Sequence, residues 1–194
     1  MIYKPIKYLA IVFIFYLVFF TQAFSKDDPS KYILETDDWY YDVDEEMGYV
    51  WMLRNGKVTH GDKIRFLLDT HNCDIVRELF SFYTMMDNPK IDSLEKRVLE
   101  ININGNNVGA EIQFVMPFLS GHSVWFDMGR YWVDEHIEFH KSKKVYKVEL
   151  FDQKDFLADE YFDVKFNEWD MDNFAEYLKA GQMKCKLLPK PLQS

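Results

Sequence analysis

Apolar and polar residues alternate along much of the chain beyond residue 60. The alternating runs cover residues 64–69, 98–103, 110–118, 124–128, 146–150 and 162–166. Alternation with a period of two places one face of each strand against a core and leaves the other face in water. Turn-forming pairs such as Asn55-Gly56 and Ser120-Gly121 separate the runs. We therefore expect an all-β fold, an antiparallel β-sandwich of about eight or nine strands.

The end of the chain has a different period. Between Asp170 and Lys184, the apolar residues Phe174, Tyr177 and Leu178 recur at the spacing of one helix face, with acids early and lysines late. This pattern predicts one C-terminal α-helix over 170–184. The residues that follow, 186–194, contain two prolines and are expected to form a flexible tail.

The first 25 residues have the pattern of a secretory signal peptide. Lys4 and Lys7 precede an apolar run from Tyr8 to Phe20, and the small residues Ala23 and Ser25 follow at the positions that signal cleavage favours. The run is 13 residues long, whereas a membrane-spanning helix needs about 20. We expect cleavage after Ser25 and export to the periplasm or the medium, with a retained anchor as the alternative. After cleavage we expect no stable membrane insertion.

Removal of the signal changes the charge and the organisation of the chain. Lys4 and Lys7 are the charged residues of 1–25, so the remaining 169 residues carry 21 basic and 32 acidic side chains, a net charge of −11. Such a surface repels polyanions, so nucleic acid is not an expected partner. Residues 26–47 form an acidic, irregular lead-in, and 48–185 are expected to form one domain. No Asn-x-Ser/Thr site occurs, which favours a bacterial source.

The chain contains two cysteines, Cys73 and Cys185. In an oxidising compartment an even number of cysteines favours disulfide pairing, so we predict a Cys73–Cys185 bridge. The alternative is a pair of free thiols. His71 lies close to Cys73 in sequence, but a structural disulfide is a better explanation of this cysteine than a catalytic thiol.

Four residues at alternate positions near the middle of the chain carry metal-ligand side chains. They are Asp134, His136, Glu138 and His140. If 132–140 is a strand, all four lie on one face, and imidazole and carboxylate groups are suitable ligands for zinc or copper. The alternative is an ordinary solvated strand face. The His-Glu-x-x-His order of zinc proteases is missing, so no catalytic mechanism follows.

Other catalytic and ligand-binding patterns are weak. No Gly-x-Ser-x-Gly elbow and no glycine-rich phosphate loop occurs, and we predict no catalytic residue. The acids between Asp37 and Glu46 offer oxygen ligands for calcium but lack the spacing of a calcium loop.

Aromatic residues are abundant, and some of them are candidates for a recognition surface for a protein or a glycan. These candidates are Tyr49, Trp51, Trp125, Tyr131 and Trp132. The leading hypothesis is a non-enzymatic exported binding or interaction protein. The alternatives are a metal-binding protein or metal-dependent hydrolase that uses His136 and His140, and an inhibitor of a secreted hydrolase. The sequence does not specify the partner or the oligomeric state.

Overall fold

The computed structural model describes residues 38–59 and 61–191, and in this part of the chain nine β-strands form one antiparallel sheet. The strands are β1 Tyr40–Asp44, β2 Tyr49–Asn55, β3 Lys63–Asp69, β4 Asn72–Thr84, β5 Val98–Ile103, β6 Asn106–Phe118, β7 Gly121–Trp132, β8 Val145–Leu150 and β9 Phe166–Asp170. The helices are α1 Val133–His140, α2 Ala158–Tyr161 and α3 Phe174–Leu187, and a 3-10 helix spans Ile91–Leu94. The predicted signal peptide, residues 1–25, lies outside the described residues.

The strand order across the sheet is β1-β2-β3-β4-β7-β6-β5-β8-β9. The first four strands follow one another as a meander, and β5, β6 and β7 form a second meander that joins the first through β4 and β7. The last two strands extend the sheet beyond β5. Every neighbouring pair is antiparallel, as the alternating sequence runs predict.

The sheet curls into a half-barrel. The register shifts between β3 and β4 after Leu68, between β4 and β7 after Glu78 and between β6 and β7 after Ile112. Such bulges bend a strand and increase its twist, so they favour curling of the long central strands. The concave face holds most of the buried apolar side chains of the strands, among them Phe66, Phe80 and Trp169. Helices α1 and α3 pack against this face and complete the core.

The antiparallel β fold and the C-terminal helix are confirmed, with differences in detail. The strands form one curled sheet, and two packed sheets are not shown. Alternation with a period of two indicates only that one face of each strand is buried. In this structure helices cover that face. The terminal helix begins at Phe174 and ends at Leu187 instead of spanning 170–184, and the predicted irregular lead-in contains β1. The run 162–166 precedes β9, which begins at Phe166.

The predicted disulfide is present. Cys73 at the start of β4 is bonded to Cys185 near the end of α3, across 112 residues of sequence. Around it, Asp74 accepts a hydrogen bond from Gln182 at 2.9 Å and forms an ion pair with Lys186 at 2.7 Å. The bridge therefore fixes α3 to the strand that carries the buried residue Glu78.

A buried polar link joins the connection between β2 and β3 to β9, the last strand in the sheet order. Asn167 of β9 donates from Nδ2 to the carboxylate of Asp62 at 2.6 Å, and its Oδ1 accepts from the backbone of Val58 at 3.0 Å. Asp62 also accepts from the backbone N–H of Tyr83 at 2.5 Å. Asp62 and Asn167 are fully buried, so these hydrogen bonds replace the water that both groups lose.

Asp62 is expected to make stability depend on pH. Burial raises the pKa of Asp62 to about 7, against the lowering effect of its hydrogen bonds. Between pH 4 and 7 the folded chain therefore binds a proton that the unfolded chain does not, and the contribution of Asp62 to the free energy of unfolding falls as pH rises. At about 1.4 kcal/mol per pKa unit, the total fall is about 4 kcal/mol. Urea unfolding of wild type and Asp62→Asn between pH 4 and 7 measures this fall in the free energy of unfolding.

The control is the difference between the free energies of unfolding of the two proteins at each pH. Asparagine does not ionise, so other titrating groups cancel in the difference. We expect the free energy of unfolding of wild type, relative to that of Asp62→Asn, to fall from pH 4 to 7 and to be constant above that. A difference that stays flat or grows with pH would show that the ionised carboxylate is the form the fold prefers.

Candidate metal centre

Three buried side chains with metal-ligand atoms converge under the curled sheet. Glu78 of β4 and His136 and His140 of α1 are each no more than 3% exposed. Their ligand atoms all lie within 4.8 Å of one another. We call these three residues the Glu-His-His cluster.

Local structure brings each residue to the cluster. Glu78 pairs with Gly129 of β7 beside a register shift, and the buried neighbours Val76 and Phe80 place it on the concave face. His136 and His140 are four residues apart, so they lie on the same face of α1. Asp134 and Glu135 in the first turn of α1 suit the positive end of its dipole.

The distances within the cluster are compatible with one shared metal ion. Oε2 of Glu78 lies 3.0 Å from Nε2 of His136 and 3.9 Å from Nε2 of His140. Two ligands that bind one tetrahedral zinc at about 2.1 Å are about 3.4 Å apart. The first distance is that of an ion pair, but Nε2 of His136 has no hydrogen-bond partner.

Several polar atoms of the cluster lack hydrogen-bond partners. Besides Nε2 of His136, these are Oε1 of Glu78 and both ring nitrogens of His140. Each unpartnered buried polar group costs about 1–3 kcal/mol, more if charged. A cation among them would bind the lone pairs that the protein leaves unused.

The electrostatics of the cluster follow from burial and from the proximity of its members. Burial raises the pKa of the Glu78 carboxyl, but the two histidines outweigh this effect and lower its pKa below the usual value. Burial lowers the pKa of His140, which favours the neutral imidazole that binds metals. Burial and the charge of Glu78 raise the pKa of the Tyr146 hydroxyl well above its usual value. Glu78 is thus an anion at neutral pH.

Aromatic rings surround the histidines and restrict their orientation. Tyr131 stacks on His136 with ring centres 4.6 Å apart, and Phe174 of α3 lies 5.0 Å from the ring of His140. Phe66 lies 5.6 Å from His136, on the side of β3. Packing of this kind holds the two imidazole rings in one geometry.

A cavity of about 720 Å³ opens beside the cluster. It lies between α1 and strands β5 to β8, and Glu78 and His136 form part of its wall. An ion held by the cluster would therefore be accessible from the cavity. Three protein ligands and one accessible position are typical of zinc sites that bind a further molecule.

The structure brings together two of the four metal ligands expected from the sequence. His136 and His140 are adjacent, but residues 132–140 form a helix after Trp132 and not the expected strand. Asp134 and Glu138 therefore lie on the outer face of α1, with side chains 81% and 72% exposed. They form ion pairs with Lys179 and Lys141. Glu78, which the sequence reasoning missed, takes their place.

The five candidate recognition aromatics do not form one surface. Tyr49, Trp51 and Trp125 lie on the outer face of the sheet, where Trp51 and Trp125 make an edge-to-face contact at 6.3 Å. The Arg65 guanidinium covers the ring of Trp125 at 3.7 Å, so this ring is already partnered. Tyr131 stacks on His136 of the Glu-His-His cluster, and Trp132, 53% exposed, immediately precedes α1.

Comparisons with protein-family models, with characterised proteins and with solved structures find no match for this chain. The functional assignment therefore depends on the geometry of its own residues.

Proposed function

We propose that the chain is an exported metal-binding protein in which Glu78, His136 and His140 bind one divalent transition-metal ion. The observation that carries the proposal is the convergence of three buried side chains with metal-ligand atoms, each of which has at least one polar atom without a hydrogen-bond partner. Imidazole and carboxylate ligands in this number suit zinc, and copper competes for the same donors. The proposal assigns binding and no catalysed reaction.

The main alternative for the cluster is a buried ion pair with no metal. A buried carboxylate beside a protonated histidine is stable when hydrogen bonds satisfy the remaining polar atoms. In this cluster Oε1 of Glu78 and both nitrogens of His140 remain unsatisfied. A bound ion would contact one atom of each side chain and neutralise the carboxylate. It would therefore offset more of the free-energy cost of the unsatisfied polar atoms than a proton on a histidine does.

Export is supported by two features. The basic, apolar and small-residue pattern of 1–25 is that of a signal peptide, and the Cys73–Cys185 disulfide is typical of proteins outside the cytosol. None of the helices among the described residues is long and apolar enough to cross a membrane. N-terminal sequencing of protein recovered from the periplasm or medium tests the assignment. A native protein that retains Met1 would contradict cleavage.

Zinc titration of the purified protein tests the metal proposal. The protein is prepared without a histidine tag, stripped with a chelator and titrated by calorimetry. We expect one zinc ion per chain. Zinc at 100 times its dissociation constant should raise the free energy of unfolding by about 2.7 kcal/mol, because it binds the folded chain alone. Absence of heat, together with an unchanged unfolding midpoint, would reject the metal site.

A further inference from the structure

We propose that the cavity beside the Glu-His-His cluster binds a small organic carboxylate with an apolar body, and that its carboxylate lies between the bound metal and Lys143. The inference rests on the proposed metal site, since the metal supplies one of the two cations that hold the carboxylate. It adds to that function the chemical class of the molecule that the metal site binds.

The size and lining of the cavity favour a small, mainly apolar molecule. Its volume of about 720 Å³ lies within the range of about 300 to 1,000 Å³ that is common for small-molecule sites. Apolar and aromatic side chains form much of its wall. They are Ile103, Val108, Met128, Tyr131, Phe139 and Tyr146. Such a surface favours hydrocarbon or aromatic groups over water.

The metal reverses the charge of the cavity wall. Without a metal, Glu78 and Glu135 contribute two negative charges and Lys143 one positive charge, a sum of −1. Histidines that bind a metal are neutral, so a divalent ion changes the sum to +1. One anionic group then balances the wall, whereas a neutral or cationic ligand does not. A ligand with one negative charge therefore neutralises the wall of the metal-bound cavity.

The metal and Lys143 provide two contacts for that anion. Glu78 and His136 lie in the cavity wall, so a ligand in the cavity would reach a metal held by these residues. Nζ of Lys143 lies 3.3 Å over the ring of Phe139, which holds the ammonium group against the same cavity. A carboxylate has two oxygens, one for the metal and one for the ammonium group.

Decanoate is the test probe, with decanol as the neutral control of the same chain length. Calorimetry measures binding of each to zinc-loaded and zinc-free protein. We expect decanoate to bind the zinc-loaded protein at least about tenfold more tightly than decanol does, because a charged contact in a partly buried site is worth about that factor or more. Removal of zinc should abolish this preference.

Two lysine variants locate the second contact. Lys143→Met keeps the apolar stem and removes the charge, and it should weaken decanoate binding about tenfold with little effect on decanol. Lys141→Met is the matched control, because Lys141 is exposed and pairs with Glu138 outside the cavity. The control should bind decanoate as wild type does.

The outcomes separate the two proposals. Zinc binding without decanoate binding, or with equal affinity for decanoate and decanol, would overturn the carboxylate inference and leave the metal site intact. Equal decanoate affinity with and without zinc would also overturn it. Failure of zinc itself to bind would reject the proposed function, and the inference with it.

Discussion

Replacing His136 and His140 together with alanine is expected to weaken zinc binding at least about 1,000-fold. Changes that only reorient metal ligands cost about 10- to 100-fold in affinity, and this variant removes two of the three ligands in the cluster. Calorimetry in competition with a chelator of known affinity measures the effect. Circular dichroism establishes whether the variant remains folded.

Two further variants make the result specific. Glu78→Gln preserves the shape of the side chain and removes its charge, and it should weaken zinc binding at least about tenfold in a folded protein. Asp134→Asn/Glu138→Gln changes the two acids that lie on the exposed face of α1, and it should leave zinc affinity unchanged. If the second pair weakened binding as much as the histidine pair, the site would be on the outer face of the helix.

Removal of the disulfide is expected to have the largest effect on stability. In the chain-entropy model, a bridge that closes a loop of about 100 residues stabilises by about 4.7 kcal/mol, and here the cysteines are 112 residues apart. The Cys73→Ala/Cys185→Ala variant should therefore lose about 4 to 5 kcal/mol in free energy of unfolding, measured by urea unfolding. Wild type in the presence of a reductant should show the same loss.

A neighbouring ion pair provides the control for the disulfide. Lys186→Ala breaks the contact with Asp74 at the same junction of α3 and β4 but leaves the bridge, and exposed pairs contribute little. We expect no measurable change in its unfolding midpoint. A disulfide-free protein as stable as wild type would show that packing alone holds α3 in place.

The disulfide is also expected to affect the metal site. Phe174 of α3 packs on the ring of His140, and α3 is fixed to β4 through Cys185. Loosening α3 should therefore lower zinc affinity as well as stability.

The sequence predicts the overall β architecture and the disulfide because both depend on simple patterns. Alternation in runs such as 98–103 requires one buried face, and in a chain with two cysteines each has one possible intramolecular partner. Alternation does not specify what covers the buried face. A curled sheet under helices and two packed sheets therefore give the same sequence pattern.

The Glu-His-His cluster is harder to predict because its residues are distant in sequence and because the sequence of α1 fits both a strand period and a helix period. Between Val133 and His140, alternate residues carry ligand groups, but Val133 and Ile137, like His136 and His140, also repeat at helical spacing. The structure has the helical spacing and not the alternation of a strand. Glu78 was detectable as a lone charged residue among the alternating apolar residues Val76, Phe80 and Phe82.

The central claim is that a metal ion binds at the Glu-His-His cluster, and anomalous X-ray diffraction at the zinc absorption edge tests it most directly. Crystals of zinc-loaded protein should show one strong anomalous peak about 2.0 to 2.2 Å from Nε2 of both His136 and His140 and from a carboxylate oxygen of Glu78. A peak at Asp134 or Glu138, or no peak inside the cluster, would contradict the account.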